Sequence, residues 1–500
     1  MAAHRLVNAG WRVLLLERGP WVERGEHNRD PRATLELTSH YSRESAYRVL
    51  AGGYGKDAAA VFCVGGPSTY YGCAAFRYRE ADFAPPPEIV GASGARWPFG
   101  YADIEPYYGE AEGLLGVAGD DTADPTRPSR STPFPQPPAP LAPASERFRD
   151  AARGLGLNPF SLPLGINYAS GNGRTPCDHC RTCDTYACGI EAKNDLAVAV
   201  LGPLQRKGLE LRADTVVTGL VESNGRITEV RAWDKQRNEA VSFRAAHVVL
   251  AAGALASPHL LLASDLQRRN PAGHAVGRYL LRHCSAMVIG FCNFRPDPDK
   301  RFGKQLAILD YYFGDAASRR FRARRLGSIQ QITTPPAPLM KAHMPRFFDP
   351  IPMHGFMEHL AGALVIAEDE PQASNGVTID RADPDQFGLP RLCVTHRYTA
   401  RDEQRRRMLV RRTKRILRRV GAWSFFTHSL KTFSHALGTI RMGVDPATSP
   451  LDEHCRFRGV ENLLVVDGSA LPTAGGVNPS LTIAANSLRA IDHLLNGGSP

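Results

Sequence analysis

The chain has 500 residues, of which 43% are hydrophobic and 22% charged, and a formal net charge of +11. This is the balance of a globular protein with a large core, and it excludes a disordered or fibrous chain. The most apolar run, 248–264, is broken by Ser257, Pro258 and His259, so no segment reads as a membrane span; with no signal peptide legible, the expected location is the cytoplasm.

In chain order, MAAHRLVNAG reads as a short helix with Ala2, Ala3, Leu6 and Val7 on one side, closed by Gly10. WRVLLLERG follows as a buried strand ending at the acid Glu17. Helix, tight turn, strand and acid make the second half of a βαβ dinucleotide-binding unit. Its first strand and G-x-G-x-x-G turn are expected upstream of Met1, which then stands at an internal codon. Glu17 would accept hydrogen bonds from adenosine ribose hydroxyls; the alternative is a solvated strand-end glutamate.

Residues 119–145 are Pro-, Ser- and Asp-rich without hydrophobic period, and read as a surface excursion. Segment 209–250 reads as strands with a hairpin at Ser223-Asn224-Gly225. The basic segments 317–325 and 401–419 carry much of the positive charge. In the second, Met408, Leu409, Ile416 and Leu417 share one side, so a solvated helix face is expected, with no nucleic-acid binding. The last helix is expected to begin with Asn478 at the N-cap and Pro479 at the first helical position, with Gly497 past its end.

Of ten cysteines, Cys177, Cys180, Cys183 and Cys188 form a C-x2-C-x2-C-x4-C cluster. That spacing suits an iron–sulfur cluster or tetrahedral zinc, with free thiols or a disulfide as the other readings. Cys63, Cys73, Cys284, Cys292, Cys393 and Cys455 are scattered and expected in the core.

Three further segments belong together. VGGPSTYYGCAAFRYREADF at 64–83 is a glycine-rich turn followed by an Arg-bearing strand, and GALASPHLLLAS at 253–264 is a strand-to-helix turn. SHALGTIRMG at 434–443, with NLLVVDGSALPTAGGVNPSLTIAANSLRAI at 462–491, closes the chain. These resemble the glucose–methanol–choline (GMC) family of FAD-dependent oxidoreductases over most of the chain, and least in 276–430. Two positions depart from the family pattern: Asp265 stands where the family has Gly, and Pro67 where it has a small polar residue. FRYREADF with WPFGYADIEPYYGEAEGLLGV resembles the bacterial branch that contains sugar- and aminoglycoside-oxidising members.

The resemblance implies an α/β fold in which a Rossmann-like FAD-binding domain, lacking its first strand and Gly-rich loop, joins an α+β substrate domain built on an antiparallel sheet. The FAD domain would be discontinuous (1–118, 170–275 and 431–500), 119–169 a Pro-rich surface excursion, and 276–430 the substrate domain. FAD contacts would come from Glu17, from Gly65, Gly66 and Ser68, and from Val217 through its backbone. Ala252 and Gly253, Asp467 and Gly468, and Asn478 with Pro479 would complete them.

His435 lies 43 residues before Asn478, the separation the family shows between its two active-site residues. Alone, each has a bland reading: a buried, hydrogen-bonded histidine, and an asparagine capping a helix. The pairing favours catalysis. Taking hydride from an alcohol carbon to flavin N5 requires the hydroxyl proton to leave, and a neutral imidazole within reach is the group for it. Its unperturbed pKa predicts a rate that rises with pH through about 6.5. The expected function is oxidation of an alcohol on a sugar, cyclitol or other polyol, with electrons passing to oxygen or an external acceptor. The rival reading is a non-catalytic remnant of the fold that cannot hold FAD.

Overall fold

The computed structural model describes residues 1–33, 41–53, 55, 57–171, 173–299, 301, 303–320, 323–332 and 353–497. Phe321 and Arg322 of the basic segment 317–325, and 333–352 of the expected substrate domain, lie outside the described residues.

The first turn follows the apolar spacing. Ala2–Asn8 is helical, and Gly10 closes it at φ +81 with its amide 3.0 Å from the Val7 carbonyl. The strand Leu14–Leu16 then pairs in parallel with Glu210–Arg212. It is only partly buried, unlike the buried strand its apolar run implies, because among the described residues this pair stands as a two-stranded sheet with no further neighbour. Val248–Leu250 and Leu463–Val465 form a second parallel pair. Glu17, the Ala252–Gly253 turn and the Asp467–Gly468 turn all follow the carboxyl ends of these strands. Beside them lies an antiparallel meander of Thr215–Ser223, Arg226–Asp234 and Glu239–Phe243. Its first turn falls at Asn224 and Gly225, whose φ values of 53° and 76° are those a two-residue hairpin requires. Val217 sits at a bulge in this meander.

The second body is a seven-stranded antiparallel sheet. In spatial order it runs Ala422–Ser429, Ala286–Cys292, Leu360–Ile366, Ser328–Ile332, Leu306–Ile308, Phe160–Leu164 and Ala118–Asp120. The last two strands correct the reading of 119–169 as a surface excursion. Phe160 and Leu162 are buried in the core, and the helix Pro143–Arg153 puts Phe148 and Ala152 against the sheet. Hydrophobic residues inside the Pro-rich stretch therefore outweigh its composition.

The basic helix spans Ala400–Val420. Thr399 caps it, its Oγ1 accepting from the Asp402 amide at 3.1 Å, and Gly421 closes it at φ +117. Met408, Leu409, Ile416 and Leu417 are buried against the sheet while Arg407, Arg411 and Arg415 are exposed, as the apolar spacing predicts. Four more strands, Gly376–Pro384, Pro390–Thr395, Tyr41–Ala51 and Asp57–Val61, form a separate sheet.

Two local expectations fail. The Arg-bearing stretch 75–79 is buried but forms no strand: the Ala75 amide reaches the Pro163 carbonyl at 2.9 Å, but two later amides are captured by side chains. The Tyr78 amide donates to Tyr108 Oη at 3.2 Å and the Arg79 amide to Asp82 Oδ2 at 2.7 Å. The final helix spans Ser480–Leu495 and its N-cap is Pro479, not Asn478; no side chain caps it. Among the described residues no helix is long and apolar enough to cross a membrane.

Candidate functional site

The candidate histidine, His435, is placed by backbone pairing. Residues 438–442 lie along the turn after Leu463–Val465: the Gly438, Ile440 and Met442 amides donate to the carbonyls of Gly468, Ser469 and Ala470 at 3.1, 2.9 and 2.8 Å. Gly468 is required there, because a Cβ would come within 2.8 Å of Leu437 Cδ2 and 3.0 Å of the Ala436 carbonyl. On its other side the same segment forms an antiparallel bridge between Leu437 and Leu281, with amide–carbonyl distances of 2.9 and 3.0 Å. Two residues out from that bridge, His435 and His283 become cross-strand partners. Their Nδ1 atoms are 3.0 Å apart and their rings meet edge to face.

His283 is fully buried, and its Nε2 lies 3.0 Å from the carbonyls of both Ala474 and Gly475. These begin the loop that leads to Asn478. The loop is held tightly: Tyr78 Oη donates to the Ala474 carbonyl, the Gly475 amide donates to Glu368 Oε1 at 3.0 Å, and the Gly476 amide to Tyr312 Oη at 2.8 Å. A Cβ at Gly476 would lie 2.7 Å from the Tyr312 ring and from Gly327 Cα, so only glycine lets the loop pack this closely. Asn478 is not capping. Its Oδ1 accepts from the Gln330 side-chain amide at 2.7 Å. His435 and Asn478 are thus attached to one loop, and no hydrogen bond joins them among the described residues.

His435 is half-buried, and its surroundings disfavour a charged ring. Burial and the neighbouring His283 push the His435 pKa down to about 3, so the ring is a neutral base throughout the ordinary pH range rather than one titrating at 6.5. His435 Nε2 meets no hydrogen-bond partner among the described residues and is not sealed from solvent. Below it, Asp369 accepts the amides of Arg282 and His283 at 3.0 Å each, and the ring of His396 lies 3.2 Å from its Oδ2. Burial, together with Asp82, pushes Glu368 up to about 7 against the pull of Arg325.

The expected cofactor residues fall at the strand ends. One Glu17 oxygen accepts the Gly19 amide at 2.8 Å, and burial pushes this carboxyl up to about 7. Asp467 is a clamp: Oδ2 takes the Gly253 amide at 3.0 Å and the Ser257 hydroxyl, while Oδ1 takes the Ser469 amide at 2.8 Å. Gly65 and Gly66 lie at φ +92 and +56, and Ser68 Oγ donates to the Gly65 carbonyl at 2.6 Å. Ala252 precedes the helix Gly253–Ala263, and its amide donates to Ser257 Oγ at 3.2 Å. Val217 and Pro479 stand where the sequence places them, in the meander and at the start of the last helix.

The cysteine cluster is corrected. Cys177, Cys180, Cys183 and Cys188 line one small cavity with Lys193, yet all are free thiols. Among the described residues no three His, Cys, Asp or Glu side chains are grouped to hold a metal ion. Three of the thiols are engaged separately: Cys177 Sγ takes the His179 amide at 3.4 Å, Cys180 Sγ lies 3.8 Å from Thr182 Oγ1, and Cys183 is hydrogen-bonded to the Cys73 thiol beside the Lys193 ammonium. The six scattered cysteines are buried, as expected.

The sequence reading missed His283, Asp369, His396, Glu368, Tyr312 and Gln330. An acidic triad, Glu368-Asp369-Glu370, directly after the apolar strand 360–366 was the one available signal.

Acidic and glycine-rich strand ends of this kind belong to dinucleotide-type domains, and an open histidine nitrogen beside them puts the chain in the class of cofactor-dependent oxidoreductases. Two sequence profiles, both described as GMC oxidoreductase, match residues 58–285 and 371–487. The chain is 32% identical to 6'''-hydroxyparomomycin C oxidase of Streptomyces lividus and 30% identical to paromamine 6'-oxidase of Streptomyces fradiae, in each case over 98% of this chain and 88% of the relative. It is 28% identical to 2-methyl-1,2-propanediol dehydrogenase of Mycolicibacterium austroafricanum, over 98% and 92%. Pyridoxine 4-oxidase from Mesorbium loti has the same fold, at a TM-score of 0.65 with 20% identity over 98% of this chain and 96% of that one. The chain belongs to the GMC oxidoreductase family, FAD-dependent enzymes acting on CH–OH groups.

Glu17 and the Val217 backbone would serve the adenosine of a bound FAD, and the uncapped start of the 480–495 helix would suit the electron-rich edge of its flavin. No G-x-G-x-x-G turn occurs in residues 1–500, so the described residues contribute no such cradle to the pyrophosphate.

Proposed function

We propose that this enzyme oxidises an alcohol on a sugar, cyclitol or other polyol, with His435 as the base that takes the hydroxyl proton. The observation that carries the reading is His435 itself: a neutral imidazole whose Nε2 has no partner among the described residues, tied to the loop that bears Asn478. An alcohol becomes a carbonyl by losing a hydride from carbon and a proton from oxygen. Bound FAD supplies the hydride acceptor. His435 Nε2 receives the proton, and Asn478 Nδ2, left over once Oδ1 is taken by Gln330, donates to the hydroxyl oxygen and orients it. The uncapped helix start at Pro479 favours negative charge gathering nearby. Relatives named for oxidising paromamine at its 6' position and hydroxyparomomycin C support a carbohydrate alcohol. Oxygen or an external acceptor then takes the electrons.

The test is rapid-mixing reduction of the flavin-loaded, full-length enzyme by a panel of sugar, aminosugar and cyclitol alcohols. His435→Ala is expected to slow reduction by ~10²–10⁴-fold with flavin content little changed. Normal reduction in that variant would place the base elsewhere.

A further inference from the structure

We propose that His283 is a positioning residue that fixes the tautomer of His435, leaving Nε2 of His435 as the nitrogen that carries the lone pair. The inference rests on the reading of His435 as the base.

The assignment follows from donors and acceptors. His283 Nε2 faces two carbonyl oxygens, those of Ala474 and Gly475, each at 3.0 Å. Carbonyls only accept, so this nitrogen carries a hydrogen. The ring is 1% exposed, and burial holds its pKa below the ordinary histidine value, so the ring is neutral. A neutral imidazole with a hydrogen on Nε2 has a lone pair on Nδ1. That lone pair points at His435 Nδ1, 3.0 Å away. Two ring nitrogens at this distance attract only if one carries a hydrogen, and here it must be His435 Nδ1. His435 is neutral as well, so its Nε2 is left with the lone pair.

His283 is itself immobilised at every polar atom. Its amide donates to Asp369 Oδ1 at 3.0 Å, its carbonyl accepts from Tyr398 Oη at 2.7 Å, and its φ of 61° holds the ring against the 474–475 turn. Asp369 is kept in place by the Arg282 amide and the His396 ring. The chain Asp369, His283 backbone, His283 ring, His435 ring is therefore rigid. When His435 gains a proton on Nε2, its Nδ1–H bond to His283 becomes charge-assisted, and the Asp369 carboxylate lies on the side that favours the cation. No proton moves through His283. The carboxylate-backed orientation of a catalytic imidazole has the same logic in hydrolytic triads, with a neutral ring here in place of a carboxylate.

The test uses the flavin-loaded, full-length enzyme labelled with ¹⁵N-histidine. In the parent, the His435 resonances, identified by their loss in His435→Ala, are expected to show a protonated Nδ1 and an unprotonated Nε2 at pH 7. A protonated Nε2 overturns the inference without any variant having to fold. Kinetically, His283→Leu removes the acceptor and is expected to lower the limiting rate of flavin reduction on the order of 10²-fold, with the substrate concentration for half-maximal rate changed less than about threefold. His283→Asn, whose Oδ1 offers an acceptor near the position of Nδ1, is expected to recover most of that loss. A His283→Leu enzyme with parental rate overturns the inference even if His435→Ala is slow. A His435→Ala enzyme with parental rate instead overturns the reading beneath it.

Discussion

The Gln330 side-chain amide donates to Asn478 Oδ1 at 2.7 Å, and this one contact decides what Asn478 can offer a substrate. With its oxygen taken, Asn478 presents Nδ2, a donor. Gln330 comes from the buried strand Ser328–Ile332 of the large antiparallel sheet, so that sheet orients a residue that sequence places at the start of the last helix.

Asn478→Ala should therefore slow flavin reduction by about tenfold, the worth of one hydrogen bond of ~1–1.5 kcal/mol. Thermal stability should fall modestly, because the buried Gln330 amide loses its 2.7 Å acceptor, and not through any lost helix cap. Parallel stopped-flow and melting measurements separate these effects. A melting point lowered by many degrees, with reduction unchanged, would return Asn478 to the role of a cap.

Much of this was legible in sequence, and the losses have physical causes. Local rules placed the 1–10 helix, the Asn224-Gly225 hairpin and the Thr399-capped basic helix, since in each the decisive bonds lie within a few residues. The spacing between His435 and Asn478 singled out two residues that the structure ties to one loop. Asp265, standing where glycine is the rule, sits at φ +57, so its departure from the family pattern marks a left-handed position that aspartate tolerates. What sequence could not reveal was the layer under the site. His283 meets His435 across 152 residues, and Glu368 meets Gly475 across 107. The cysteine spacing pointed to a shared ion, whereas Cys177 and Cys180 each interact with a residue two positions along the chain.

Glu368 gives a stability prediction with a definite sign. Its carboxyl is pushed from 4.5 up to about 7, so the folded state holds a proton that the unfolded state has lost between those values. The parent should therefore lose stability relative to Glu368→Gln as pH rises from 4.5 to 7, and no further above 7. Glutamine keeps an acceptor for the Gly475 amide and carries no charge to bury. The gap at pH 8 should be on the order of 1–3 kcal/mol. Denaturant melts of both proteins at pH 5 and pH 8 check it; a gap that narrows with pH would mean that Arg325 holds the carboxyl ionised.

Cys183 should react faster than Cys177 and Cys180. The hydrogen bond from Cys73 and the Lys193 ammonium hold its pKa below the usual thiol value, while burial pushes Cys177 up to about 12 and Cys180 also upward. Lys193 itself is caged by the carbonyls of Tyr71, Cys183 and Tyr186 at 2.7–3.0 Å, so its charge cannot swing away. Brief iodoacetamide treatment at pH 7 followed by peptide mapping should modify Cys183 at least about tenfold faster than Cys177 or Cys180. Equal labelling of all three would show that the Cys73–Lys193 environment does not govern the cluster.

The pH dependence of flavin reduction tests the electrostatics of the site most directly. A histidine exposed to water would make the rate climb through about pH 6.5 and level off once the ring is neutral. In this enzyme burial and His283 hold His435 down at about 3. A depressed value means that the neutral, proton-accepting form is present at every pH above roughly 4, and is lost only as pH falls through 3. The reductive rate constant should therefore be flat between pH 5 and pH 8.5, varying by less than about twofold. His396→Ala, which leaves Asp369 without its ring partner at 3.2 Å, should keep that flat profile, since Asp369 favours the cation and the dominant effect on His435 is burial. A sigmoid centred near 6.5 in the parent enzyme would mean that the His435 ring is solvated when the substrate binds. The proton would then leave through water rather than into a dry pocket.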